Sequence, residues 1–148
     1  MAAARRRFIL AIDGGGVRGL IPLRILETLE ARLRVLGKTQ PLHRYFDMIG
    51  GSSTGGLIAA GLAAPRPDDT SGAPAVGVSE RFVANPRAVF DERYDERPLE
   101  RILKEQLGWT SLQSALTRLV LTAYDLGRRE AVFMTNGRQS DGSRPDDY

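Results

Sequence analysis

Two glycine-rich turns carry the residues of this sequence that could perform chemistry. The second turn places Ser53 at the centre of a G-x-S-x-G pattern within residues 50–56, between an apolar run and an apolar, helix-forming stretch. A sharp strand-to-helix turn exposes a serine and holds it rigidly, and small residues must flank that serine because the turn is crowded. Gly51 and Gly55 occupy these flanking positions. We interpret Ser53 as a nucleophile for acyl transfer.

Helix capping is the alternative role for the polar residues of this turn. Ser52, Ser53 and Thr54 could accept hydrogen bonds from the first backbone N–H groups of the following helix. The G-x-S-x-G pattern also occurs often by chance. The strand–turn–helix context favours the nucleophile, because the helix N-terminus would place positive partial charge beside a developing anion.

The first glycine-rich turn, residues 13–19, has two interpretations. Its sequence matches G-x-G-x-x-G, the fingerprint of a dinucleotide-binding loop. That interpretation requires an acid at the end of the second strand to bind the ribose, whereas the only acid there, Asp47, lies inside the predicted strand. The competing role is an oxyanion hole, since glycines let backbone N–H groups approach a substrate without side-chain obstruction. The sequence favours the oxyanion hole.

Arg18 follows the glycines and would lie beside this turn. A guanidinium forms paired hydrogen bonds with phosphate and carboxylate groups, which makes Arg18 a candidate for substrate binding. A solvated charge at the start of a helix is the alternative, and the sequence does not favour either.

Strands and helices alternate around the two turns. Apolar runs predict strands at residues 8–12, buried on both faces, and at residues 45–49. An amphipathic helix after the first turn is expected to end at Gly37, and a buried, alanine-rich helix is predicted over residues 57–64. This order predicts a parallel strand–helix–strand unit within an α/β sheet.

The rest of the sequence predicts a loop, a helix and a hairpin. Residues 65–79 are rich in Pro, Asp, Gly and Ser and predict a surface loop, and a later helix is expected to end at Gly108. Strands are predicted at residues 119–124 and 131–135, joined as a hairpin, followed by a polar tail at residues 136–148.

Composition predicts one globular domain over residues 1–148. Hydrophobic residues make up 42% and charged residues 26% of the sequence, which excludes a disordered chain. The absence of cysteine excludes disulfides and cysteine metal sites. The apolar runs are too short for a signal peptide or a membrane span, so we expect a cytoplasmic protein whose contact with a membrane would be peripheral.

The basic charge does not by itself indicate nucleic-acid binding. The net charge is only +3, and no basic helix or basic stretch interleaved with aromatic residues is present. No nucleic-acid partner is therefore expected.

Together, the two turns resemble the patatin-like phospholipase family. The resemblance rests on residues 12–19 and 46–56, and extends more weakly to residues 122–125 and 132–133. It implies a three-layer α/β/α fold with a strand–nucleophile elbow–helix unit. It also implies hydrolysis of lipid acyl esters without a metal or an organic cofactor.

The resemblance further implies a catalytic serine–aspartate dyad without histidine. By motif match, Ser53 is the nucleophile, and Gly15 and Gly16, together with Gly14, form the oxyanion hole. His43 is the only histidine, and we interpret it as an ordinary surface or helix-end residue.

The aspartate of the dyad is the point where this sequence departs from the family. In the family it lies in a D-G-G or D-G-A turn after a further helix, and no such segment is present here. Asp141 precedes a glycine, but Ser143 is the wrong third residue, and we interpret Asp141 as a turn residue in the polar tail. We therefore expect an N-terminal portion of a longer protein that is inactive or weakly active alone.

Three functions follow from these motifs. The first is a serine-dependent lipid acyl hydrolase. The second is a non-catalytic lipid-binding or regulatory remnant, which would keep both turns. The third, with the least support, is a dinucleotide-binding protein.

Overall fold

The computed structural model describes residues 6–65, 103–104 and 107–137. The helices and strands of this part are, in chain order, β1 (Ile9–Ile12), α1 (Leu20–Val35), β2 (Met48–Ser52), α2 (Thr54–Ala63), β3 (Arg118–Asp125) and β4 (Glu130–Thr135). Short 3-10 helices cover Gly16–Gly19, Leu42–Tyr45 and Leu112–Ser114. Most of the predicted loop at 65–79 and most of the predicted tail at 136–148, including Asp141, lie outside the described residues.

One mixed sheet connects the four strands in the order β1-β2-β3-β4. β2 lies parallel to both β1 and β3, whereas β3 and β4 are antiparallel. The hairpin turns at Asp125, whose Oδ1 accepts hydrogen bonds from the N–H groups of Gly127 (2.8 Å) and Arg128 (3.0 Å). The α/β prediction, its parallel strand–helix–strand unit and the hairpin are confirmed, and the sheet with its helices agrees with the expected three-layer architecture.

Helix α1 ends where the sequence predicts. Gly37 has a φ of +72°. Its N–H donates to the Arg34 carbonyl (3.0 Å), and the Lys38 N–H donates to the Leu33 carbonyl (2.8 Å). This pair of bonds satisfies carbonyls that the helix leaves open, and it requires a residue that adopts positive φ without strain. The 16-residue α1 is the longest helix in the described residues, and none of their helices qualifies as a membrane span.

The prediction that β1 is buried on both faces is wrong. Ile9 is 61% exposed, whereas Ile12 is 4% exposed. Within the described residues β1 pairs only with β2, so it is an edge strand of this sheet. The apolar run predicts the strand correctly, but it does not indicate how many other strands pair with it.

Strand β2 begins and ends later than predicted. Tyr45 closes a 3-10 helix, the strand starts at Met48, and it continues through Gly50 and Gly51. Glycine is disfavoured in strands because it packs no side chain. Pairing on both sides overrides this preference here, since Gly50 lies between Ala11 of β1 and Val120 of β3.

Asp47 lies before β2 rather than inside it. Its Oδ2 accepts a hydrogen bond from the Phe8 N–H (2.9 Å), and its own N–H donates to the Phe8 carbonyl (2.7 Å). Asp47 therefore ties the beginning of β2 to the beginning of β1. It lies at the opposite end of β2 from Ser52, so the dinucleotide interpretation gains no ribose-binding acid from it.

Helix α2 forms the centre of the hydrophobic core. It packs against β2 and β3, and Ile58, Ala59 and Leu62 are at most 4% exposed. Burying a large aliphatic side chain contributes about 1.5–3 kcal/mol, so this face fixes the helix on the sheet. The prediction of a small, buried, apolar helix is confirmed, although the helix starts earlier, at Thr54.

His43 is a core residue, so its interpretation as a surface residue is wrong. It lies in the 3-10 helix before β2 and is 3% exposed. Its Nδ1 is buried and has no hydrogen-bond partner within the described part of the chain. Burial, reinforced by the neighbouring Arg44 charge, lowers the pKa of His43 from its ordinary value of 6.5.

We predict that the protein loses stability as the pH falls below about 6.5. Because the pKa of His43 is lower in the folded state, the unfolded chain binds the proton first, and the free energy of unfolding decreases by at most about 1.4 kcal/mol per pH unit. Above that range both states are neutral and this residue has no effect. Urea midpoints at pH 5, 6, 7 and 8 measure the trend.

The control for this pH dependence is His43→Leu, which removes the only histidine. Between pH 7 and pH 6 the stability of the variant should depend less on pH than that of the wild type. Equal slopes in the two proteins would contradict the assignment to His43.

Candidate active site

Ser53 lies at the junction of β2 and α2 in a backbone conformation that serine rarely adopts. Its φ is +50° and its ψ is −128°. A non-glycine residue in such a region costs about 1–3 kcal/mol and is found where the surrounding structure enforces it. The Ser53 side chain is exposed. This is the geometry of a sharp strand-to-helix turn that presents a serine to solvent.

None of the three hydroxyl residues of this turn caps α2. Ser53 occupies the N-cap position but makes no capping hydrogen bond. Thr54 is 1% exposed, and its buried Oγ1 has no hydrogen-bond partner in the described residues. The Ser52 Oγ accepts a hydrogen bond from the Gly14 N–H (3.2 Å) instead. The capping alternative is therefore wrong.

Gly51 and Gly55 are required by close approach of the backbone. A Cβ on Gly51 would lie 2.7 Å from the Gly56 nitrogen. A Cβ on Gly55 would collide with the Ile12 carbonyl oxygen and lie 2.8 Å from the Asp13 carbonyl carbon. The two sides of the turn around Ser53 thus pack on each other, and the turn also packs on the end of β1.

Gly14 brings the first glycine-rich turn directly onto the second. A Cβ at this position would collide with the Ser52 carbonyl oxygen and lie 2.6 Å from the Ser53 Cβ. The Gly14 N–H is occupied by the Ser52 hydroxyl. Ser52 therefore tethers the two turns, a role that sequence reasoning missed because no local pattern indicates a partner so distant along the chain.

Gly15 and Gly16 form the open part of the first turn. Their φ values are +139° and +56°, which only glycine adopts readily. The Gly15 carbonyl accepts a hydrogen bond from the Arg18 N–H (3.1 Å), which closes the turn. A Cβ on Gly16 would meet no atom of the described residues within 4 Å, so these residues leave space beside Gly16.

Arg18 lies against the same turn. Its Cβ would be 3.5 Å and its Cδ 3.7 Å from a Cβ on Gly15. The residue is exposed, and its guanidinium forms no ion pair within the part of the chain that the structure describes. A cation is therefore available beside the glycines.

A general base for Ser53 does not come from the described residues. The Ser53 Oγ makes no hydrogen bond with any of them. Asp47 is engaged with Phe8 at the far end of β2, and Asp141 lies outside the described residues. The structure thus brings together Ser53, the glycines of both turns and Arg18, and no acid of the described residues is hydrogen-bonded to Ser53.

We predict that Gly55→Ala destabilises the fold by at least about 2 kcal/mol, because the added methyl group must displace backbone that has no room to move. The control is Gly127→Ala in the hairpin, where the methyl group meets only the end of the Asp125 side chain and the cost should stay below about 1 kcal/mol. Urea unfolding measures both. Equal losses would contradict the close packing of the two turns.

Comparison with known proteins identifies relatives along almost the whole chain. The family model for patatin-like phospholipase matches residues 10–147. Patatin-17 of Solanum cardiophyllum is 35% identical over 136 residues, which cover 86% of this chain and 35% of the relative. Two proteins of Solanum tuberosum are also similar: Patatin is 35% identical over 147 residues (93% of this chain, 38% of the relative), and Patatin-07 is 37% identical over 136 residues (86% and 35%).

The chain thus spans between 35% and 38% of the length of these three curated relatives. The match includes both glycine-rich turns and all four strands, from Leu10 in β1 to the end of β4. The chain belongs to the patatin-like phospholipase family.

Proposed function

We propose that this chain carries the nucleophile and the oxyanion hole of a serine-dependent lipid acyl hydrolase. The observation that carries the proposal is the positive φ of Ser53 in an exposed turn that both glycine-rich segments hold in place. Strained backbone of this kind is concentrated at active sites, where it fixes a reactive group. Membership of a lipid acyl hydrolase family supports the same chemistry.

In the proposed reaction, the Ser53 Oγ attacks the carbonyl carbon of an acyl ester and a carboxylate takes its proton. The N–H groups of Gly15 and Gly16 stabilise the oxyanion. The Gly14 N–H is bonded to Ser52, so Gly14 positions the turn rather than binding the oxyanion. The leaving alcohol takes the proton, and water then releases the acyl group from Ser53.

Helix α2 would assist the reaction electrostatically. Its N-terminus has no side-chain cap, so its first N–H groups leave positive partial charge at the serine turn. An anion that develops on the substrate beside Ser53 would be stabilised by this charge. The missing cap, unfavourable for the isolated helix, is consistent with a catalytic turn.

Arg18 would bind an anionic group of the substrate. Its guanidinium lies beside Gly15 without an ion pair in the described residues, and it matches the geometry of a phosphate or a carboxylate. A phospholipid provides a phosphate a few bonds from the ester that Ser53 would attack. We therefore propose a lipid or acyl-ester substrate, bound by peripheral contact with a lipid surface.

We predict slow reaction of Ser53 with a fluorophosphonate probe, because the proposed nucleophile and oxyanion hole are present but no base among the described residues is hydrogen-bonded to Ser53. Removing one member of a catalytic set still leaves measurable catalysis from the oxyanion hole. Labelling of the 148-residue chain should be detectable by mass spectrometry on Ser53 and should disappear in Ser53→Ala.

The control variant is Ser114→Ala, which removes a hydroxyl that donates a hydrogen bond to the Ser111 carbonyl, and it should label like the wild type. Labelling that persists in Ser53→Ala would disprove the nucleophile assignment. Rapid turnover of a short-chain ester by the chain would instead show that an acid such as Asp141 does act as the base.

A non-catalytic lipid-binding protein is the second candidate. The specific observation in its favour is that the Ser53 Oγ has no hydrogen-bonded base in the described residues. Binding to anionic liposomes without any labelling of Ser53 by the probe would favour this function over the enzyme.

A further inference from the structure

The outer side of β1 presents backbone groups that could pair with another strand. The Phe8 carbonyl accepts a hydrogen bond from the Asp47 N–H (2.7 Å), and the Ile12 carbonyl oxygen lies against Gly55, so the groups of Phe8 and Ile12 point towards β2 and α2. Backbone groups alternate in direction along a strand. Those of Ile9 and Ala11 therefore point away from β2, and no strand of the described residues pairs with them. Such a row of groups is a template for pairing with another chain.

Exposed apolar side chains adjoin this side of β1. Phe8 is 58% exposed at the start of the strand, and Ile9 is 61% exposed. Ile21 and Ile25 of α1 are each 62% exposed, and they line one groove together with Leu10 of β1. Contiguous apolar surface beside an unpaired strand is typical of a site that contacts another protein.

Opposite charges flank β1 at its two ends. Arg7 comes shortly before the strand and Asp13 directly after it. Both residues are exposed, and neither forms an ion pair within the part of the chain that the structure describes. Their spacing places them on the same face of an extended strand as Ile9 and Ala11. The strand is therefore complementary in charge to an antiparallel copy of itself.

We propose that β1 pairs antiparallel with β1 of a second copy of this chain, so that the two four-stranded sheets become one. A twofold axis passes through the sheet beside Leu10, as in the closed dimers that are most common among oligomers. Ile9 then lies opposite Ala11 of the second copy, and Arg7 lies opposite Asp13 of the second copy. This dimer goes beyond the proposed function and does not depend on Ser53.

The register follows from hydrogen bonding and charge together. In it, Ile9 and Ala11 of the second copy both point their N–H and C=O groups at each other, which is the hydrogen-bonded pair of an antiparallel ladder. A slip of one residue would lose these bonds, and a slip of two would keep them but separate Arg7 from Asp13. The twofold axis also keeps α1 of both copies on one face of the sheet, where Ile21 and Ile25 would face the same residues of the second copy.

A charge exchange tests the register. Arg7→Asp and Asp13→Arg each place like charges opposite each other at both ends of the paired strands, so each variant should dimerise about tenfold or more weakly than the wild type. An equimolar mixture of the two variants restores both opposite-charge pairs and should recover the dimer. Sedimentation equilibrium of the 148-residue chain measures the dissociation constants. The control is Arg6→Asp, the same charge change at an exposed position that would face the uncharged Gly14 of the second copy.

A proline at the first position of β1 tests the backbone pairing. Ile9→Pro removes an N–H that points away from β2, so the fold should tolerate it, as proline is tolerated at the first residue of a strand. The dimer should be lost, whereas Ile9→Val keeps the N–H and should dimerise like the wild type. In the wild type, amide hydrogen exchange of Ile9 and Ala11 should slow as the protein concentration rises. Circular dichroism checks folding, and the charge exchange decides the outcome if Ile9→Pro does not fold.

Three results would overturn the proposal. A wild-type chain that stays monomeric at every concentration contradicts it, and slow exchange at Ile9 in that monomer would show that another segment of the chain covers β1. A dimer that tolerates Ile9→Pro and both charge changes forms at a different surface. Folded single variants whose mixture does not dimerise would exclude the register. Ser53→Ala should dimerise like the wild type, so none of these results depends on the labelling of Ser53.

Discussion

Backbone contact between the two glycine-rich turns determines the rest of this structure. Gly55 at the start of α2 lies against the end of β1, and Gly14 after β1 lies against Ser52 and Ser53. No side chain fits at either contact. The end of β1 and the start of α2 can therefore come this close only because Gly14 and Gly55 lack a Cβ. The hydrogen bond from the Gly14 N–H to the Ser52 Oγ then fixes one turn relative to the other. Parallel pairing of β1 with β2 brings both turns to the same edge of the sheet, and their mutual packing aligns them there.

The strain at Ser53 is a consequence of this packing. Its backbone conformation costs about 1–3 kcal/mol, and it persists because β2 is paired on both sides and the apolar face of α2 is buried on β2 and β3. The same arrangement leaves polar groups without partners in the described residues, notably the buried Thr54 Oγ1. An unsatisfied buried hydroxyl and an uncapped helix both reduce stability. A turn selected for stability alone would have a serine whose side chain caps the helix, whereas Ser53 makes no capping hydrogen bond with α2.

The local features were predictable from the sequence, whereas the features that depend on neighbours were not. Gly37 ends α1 and Asp125 turns the hairpin because each acts within a few residues of chain. The exposure of Ile9 depends on how many strands flank β1, and an apolar run carries no information about that number. Gly50 and Gly51 lack strand propensity, and only pairing on both sides makes them part of β2. His43 is polar and lies between Leu42 and Arg44, yet it is buried.

Positioning and activation of the proposed nucleophile are physically separate in this fold. The positive φ of Ser53, the close approach of Gly14 and the open space beside Gly16 all arise from contacts among residues 12–56. None of these contacts involves a carboxylate bonded to Ser53, so the backbone geometry of the two turns does not depend on one. Under the proposed function, a base supplied from elsewhere would accept the proton of the Ser53 hydroxyl and orient that hydroxyl, but the position of the Ser53 Cβ is set by the backbone of the turn. Under the proposed function, the sheet edge formed by β1 and β2 therefore sets where an ester carbonyl would lie, whichever carboxylate accepts the proton.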